Sequence, residues 1–187
     1  IGAYFGAAPH ISNSIFWNNA LDLLDCTADY SWVEDQKELA QGLVAHWKLD
    51  GDATDSAGAN HGTIHGATPT AGQVGGAMYF DGVDDYISIP DNSSLDITGE
   101  ITLMCWTKLL SRDTSDVQMS FGKRGAYLVY PENHIYGGTG NWKAQITDTQ
   151  GDLYGTTNLA TGQWYHLTMS YDGQTMRVYL NGQLEGE

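Results

Sequence analysis

Seven oxygen-bearing side chains crowd two short stretches of this chain: Asp50, Asp52, Asp55 and Asn60 in the first, Asp81, Asp84 and Asp85 in the second. Calcium takes six to eight oxygens from carboxylates, amides and carbonyls in flexible loops, so these residue types at this density are what a calcium site needs. The same residues also build turns, because Asp and Asn side chains accept hydrogen bonds from backbone two residues on. Both roles stay open here.

A second concentration lies in residues 126–142, AYLVYPENHIYGGTGNW. Aromatic rings offer flat apolar surfaces for the C–H faces of sugars, and interleaved amides bond hydroxyls, so the stretch has the makings of a carbohydrate platform. Tyr127, Tyr130, Tyr136, Asn141 and Trp142 are its candidate residues, and Trp142, after Gly140 and Asn141, is the ring expected at the surface.

Other chemistries find little support. Glu100, Glu132, Glu185 and Glu187 stand isolated, no G-x-S-x-G occurs, and His46, His61, His65 and His166 show no triad spacing. His61 and His65 are four apart but in a loop, where a helical H-x-x-x-H zinc site does not apply. The glycine runs at 72–76 and 137–140 precede strands or turns, whereas phosphate cradles need a helix N-terminus. The formal net charge of -15 repels nucleic acid and anionic membranes, and suits calcium, neutral glycans or basic partners. Cys26 and Cys105 form no C-x-x-C pair and are expected as buried thiols. No run approaches 18 apolar residues, and membrane insertion is not expected.

The elements that must position these groups are strands. Residues 164–171 and 175–180 alternate apolar and polar around Asp172-Gly173, and Asn181-Gly182 follows, which predicts an antiparallel meander with tight turns. Gly42 to Leu49 puts Leu43, Ala45, Trp47 and Leu49 on one face and Val44, His46 and Lys48 on the other. Ile101 to Leu110 reads as a central strand, and residues 75–80, 86–89, 117–121, 127–130, 135–136 and 143–148 as further ones. Residues 50–66 read as one long loop, and 93–96 as a single helical turn. The class is all-β, two antiparallel sheets packed face to face.

The chain closely resembles the laminin-G-like, concanavalin A-like jelly-roll family of extracellular modules. The matching pieces are GLVAHWKLDG at 42–51, DSAGANHG at 55–62, FDGVDDYI at 80–87, SLDI at 94–97, ITLMCW at 101–106, GQWYH at 162–166, YDG at 171–173 and YLNG at 179–182. The resemblance implies a jelly roll over 41–187. It brings the two Asp-rich loops together around a structural calcium, with Asp50, Asp55, Asn60 and Asp81 as first-choice ligands. It also makes Trp47, Trp106 and Trp164 core residues. Glycosidases on such folds carry an E-x-D-x-x-E run, absent here, so the expectation is a non-catalytic, secreted carbohydrate-binding or adhesion module of a larger protein. An accessory part of a polysaccharide-degrading enzyme is one alternative, and a surface or assembly subunit joined through sheet edges another.

Residues 1–40 differ in texture. Ile11 to Asn19 reads as a short strand with asparagines at its corner, followed by DCTADYSWVED at 25–35. The segment resembles a rung at the end of a right-handed parallel β-helix, and an extended arm on the jelly roll is the other reading. Relatives continue beyond the Asn-Gly turn to a last strand beside the first, so the jelly roll is expected to lack its closing C-terminal strands here, either because the sequence is incomplete or because another segment or a second chain supplies them.

Overall fold

The computed structural model describes the backbone of residues 2–4 and 9–17 and the full residues 42–111, 121–131, 141–147 and 151–187. Within them lie fifteen strands. They are β1 (Gly2–Tyr4), β2 (Pro9–Trp17), β3 (Leu43–Trp47), β4 (Thr63–His65), β5 (Thr68–Ala71), β6 (Gly76–Tyr79), β7 (Tyr86–Ser88) and β8 (Ile101–Leu109). The rest are β9 (Phe121–Lys123), β10 (Tyr127–Tyr130), β11 (Lys143–Ile146), β12 (Gly151–Tyr154), β13 (Trp164–Tyr171), β14 (Met176–Leu180) and β15 (Gln183–Gly186). One 3-10 turn, Ser93–Leu95, follows β7, where helical structure was expected, with Asn92 accepting the Ser94 N–H as its cap.

The strands form an eight-stranded sheet in the order β15-β14-β13-β8-β2-β6-β5, with β3 also on β2. A four-stranded sheet, β12-β11-β10-β9, and a three-stranded one, β1-β7-β4, complete the set. Every pairing is antiparallel. One apolar core joins them: Leu103, Cys105, Leu167, Met169 and Val178 of the large sheet meet Tyr127, Val129 and Ala144 of the four-stranded sheet and Ile87 of the small one. This is the expected all-β, antiparallel jelly-roll sandwich, and the alternation in the sequence is its cause. In β8 the buried residues are Ile101, Leu103, Cys105, Thr107 and Leu109, one in every two, so the intervening side chains must face away from the core.

The meander turns form as the sequence predicts. Asn181 and Gly182 both take positive φ, 50° and 80°, the two-residue conformation whose twist matches a hairpin. The Asn181 side chain accepts the His166 N–H, and its own N–H donates to the His166 carbonyl, tying the turn to β13. Asp172 accepts from Gln174 and Thr175 N–H, holding the other turn.

Two stretches of the N-terminal segment are strands paired with the rest of the chain. Gly2–Tyr4 pairs with β7, and Pro9–Trp17 runs between β8 and β3, with a register break after Ser12 on the β8 side. A strand of the same chain thus lies beside β3, where the missing closing strand was expected. Residues 18–41, with Cys26 and the DCTADYSWVED stretch, lie outside the described residues, as do 117–120 and the strand expected at 135–136. Strands β4, β5, β12 and β15 were not foreseen: each is three or four residues long and exposes much of its surface, leaving little apolar pattern to read.

Candidate functional site

The contacts sort the four expected calcium ligands into three places and do not gather them. Asp55, nearly buried, accepts the His46 and Ala57 N–H groups on Oδ1 and the Asn60 N–H on Oδ2. Burial pulls its carboxyl upward, but those backbone hydrogen bonds outweigh it and hold the pKa low. Asn60 uses its own oxygen to accept Ser94 Oγ, and its backbone carbonyl takes the Trp47 indole N–H at 2.7 Å. Both residues therefore fasten the loop to β3 and to the 3-10 turn. Asp50 accepts the Gly76 N–H, at the start of β6. Asp81 stands apart with Asp84 and Asp85, and the carboxylate oxygens of these three lie within 4.8 Å of one another. Asp85 is buried and accepts the Asp81 N–H, and a side chain at Gly66 would run into its Oδ1.

The expected aromatic platform turns inward. Trp142, the ring expected at the surface, is 0% exposed and donates its indole N–H to Glu185 at 2.8 Å. Burial also raises the Glu185 carboxyl, but hydrogen bonds from Thr157, Trp142 and Thr156 prevail and hold it low. Glu185 thereby fastens β15 to the loop after β12. Tyr127 is buried with its hydroxyl on the Leu95 carbonyl, and burial pushes its pKa up to about 12. Asn141 donates to the Gly155 carbonyl, and Tyr136 lies outside the described residues. The reason is the strand register: Tyr127 and Val129 of β10 stand beside Ile146 and Ala144 of the adjacent β11 on the one face of the sheet that lines the core. Tyr130, also buried, points the other way, where Lys143 sits 4.6 Å over its ring and pairs with Asp152 at 2.7 Å.

A different aromatic face emerges on the large sheet. Because Leu103, Cys105, Leu167 and Met169 point into the core, their neighbours on β8 and β13 point out. Trp106 and Trp164, expected in the core, are half-buried on this outer face, while Trp47 is in the core as expected. Trp106 stands opposite His166 and Lys108 opposite Trp164, so the four make a square on two adjacent strands. The Trp106 and His166 rings are 5.1 Å apart and tilted by 51°, and the Lys108 ammonium lies 4.9 Å from the Trp164 ring centre. Thr168 and Tyr179, paired across β13 and β14, continue the face, and Leu184 on β15 ends it, 53% exposed.

Burial pushes the His166 imidazole down to about 4, so the ring is neutral at ordinary pH and offers one donor and one acceptor. Thr168 Oγ1 lies 3.4 Å from its Nδ1. None of the outward residues of β8, β13 and β14 is acidic, in a chain with 23 Asp and Glu against 8 Lys and Arg. Flat rings, a neutral imidazole, hydroxyls and the cations Lys108 and Arg177 on the sheet form a surface that stacks on apolar ring faces and bonds hydroxyls. The alternation in the sequence carried this signal; assigning the two tryptophans by family position obscured it.

A laminin-G-type model, of the family described as the concanavalin A-like lectin/glucanases superfamily, matches residues 81–187. Among solved structures, the chain is similar to domain 4 of AbnA, a GH43 extracellular arabinanase from Geobacillus stearothermophilus, in complex with arabinotriose. The TM-score is 0.59 at 23% identity, over 76% of this chain and 73% of that one, and the likeness speaks for the fold. No curated protein matches the chain.

Proposed function

Since the chain belongs to the concanavalin A-like lectin/glucanase superfamily, we propose that it is a non-catalytic carbohydrate-binding module, with the outer face of β8, β13 and β14 as its glycan platform. The observation that carries the reading is the half-buried pair Trp106 and Trp164, on adjacent strands and on the side of the sheet opposite the core. Rings half-buried on a packed sheet lose little entropy when a sugar stacks on them. The arabinotriose complex of the structural neighbour makes arabinan the first glycan to try. The test is affinity electrophoresis on arabinan, galactan, xylan, β-glucans and pectin. Retention on at least one, lost in Trp106→Ala and Trp164→Ala, supports the platform; equal mobility with every glycan overturns the proposal.

The module is secreted in this reading, like the extracellular modules it resembles, and steadied by calcium. Among the described residues Asp81, Asp84 and Asp85 suit the ion best, supplying carboxylate oxygens close enough to share one centre. When bound, calcium would clamp the turn between β6 and β7. Calcium is expected to raise the melting temperature and EDTA to lower it, with both effects lost in the Asp81→Asn, Asp84→Asn double variant; a melt indifferent to both reagents removes the ion.

A protein partner or second chain along the β15 edge is the second reading. Leu184, exposed on an edge strand, favours it. Light scattering that shows a dimer broken by Leu184→Lys would support it, and a monomer at high concentration would not.

A further inference from the structure

We propose that the platform recognises a glycan carrying carboxylates, an oligosaccharide containing uronic acid, and that Lys108 takes the sugar carboxylate. The proposal rests on the carbohydrate reading above and narrows it. The other buried or half-buried cations among the described residues each hold an acid. Lys123 pairs with Asp91 and Asp96, Lys143 with Asp152, and Arg177 with Asp172. Lys108 is half-buried too, yet among the described residues no carboxylate reaches it, and its ammonium rests over the Trp164 ring instead.

That exception stands out because acids outnumber bases 23 to 8, so a carboxylate beside any given lysine is the default. A cation taken partly out of water without a counter-ion is under-compensated, and an anion brought by a ligand gains the full charge-assisted hydrogen bond. The placement suits a sugar acid. Lys108 lies two residues from Trp106 on the same face of β8, about 7 Å along the strand. A pyranose stacked on Trp106 would therefore extend a ring carboxylate toward the ammonium, while the neutral His166 opposite Trp106 bonds a hydroxyl. The net charge of -15 does not forbid this. At physiological ionic strength fields decay over about 8 Å, so the lack of a carboxylate at Lys108 among the described residues outweighs the distant excess.

Calorimetry with trigalacturonic acid and its uncharged counterpart, α-1,4-linked galactotriose, tests the assignment. The acid is expected to bind roughly three- to tenfold tighter than the neutral sugar. Lys108→Gln should bring that ratio to about one, and Lys108→Arg should keep it. Equal binding of the two probes by the wild type overturns the proposal, as does a folded Lys108→Gln protein that retains the preference. If Lys108→Gln fails to fold, the wild-type ratio and the Lys108→Arg protein decide. Retention on a neutral glycan without preference for the acid removes only the uronate assignment. Failure to bind either probe, with no retention on any glycan of the panel, removes the carbohydrate reading as well.

Discussion

Trp142 on the one hand and Trp106 and Trp164 on the other do two different jobs, and which ring faces water follows from strand parity more than from local composition. Trp142 fills the core and spends its N–H on Glu185, so Trp142→Ala should cost about 3–5 kcal/mol by chemical denaturation, adding an orphaned carboxylate to the cavity. A loss below about 1 kcal/mol would contradict that role. Trp106→Ala and Trp164→Ala, at half-buried positions, should cost about 1–2 kcal/mol while removing glycan retention. Parity was legible: the buried alternation of Leu167, Met169 and Tyr171 leaves Trp164 and His166 no inward direction. What the sequence could not carry was the inward turn of residues 127 and 142, set by pairing between β10 and β11 and by a carboxylate 43 residues away. The same limit applied to calcium. Asp55 reads as a ligand in sequence, and the sequence does not show that its oxygens accept three N–H groups that only the folded loop presents.

At the level of elements, β8 is the hinge of the account, flanked by β13 on one side and by β2 on the other. Its nine residues and those of the meander were readable because period-2 patterning is unbroken there and Asp-Gly and Asn-Gly mark the turns, with Gly173, Asn181 and Gly182 at positive φ. Placing β2 was harder, since a single strand says nothing of its partner until the sheet exists. Ile15, paired with His46 on β3 and Met104 on β8, offers a direct probe. Proline there removes a ladder donor and opens two strand edges, so Ile15→Pro should lower the melting temperature and promote association detectable by light scattering. A variant with unchanged melting and unchanged mass would show that β2 is dispensable to the sheet.

For the molecule as a whole, pH dependence divides into two windows. His166 is pushed to about 4 in the fold, against 6.5 for an ordinary histidine, and burial moves His46 in the same direction. The unfolded chain then binds protons first, so stability is full above about pH 6.5 and declines toward pH 4, and His166→Gln should flatten that decline in melts against pH. Asp55 and Glu185, held low, contribute stability above the usual carboxylate range and lose it only as pH falls further. The chain is acidic overall, yet none of the outward residues of β8, β13 and β14 is acidic, and this contrast supports the proposed glycan capture. The most direct test of that capture is a two-dimensional nitrogen–proton NMR titration with the best-retained oligosaccharide, following the indole signals of the six tryptophans. The indole N–H signals of Trp106 and Trp164 should shift with a common saturation curve while that of Trp142, locked on Glu185, stays in place. Saturable shifts that leave both platform indoles unmoved would contradict the account.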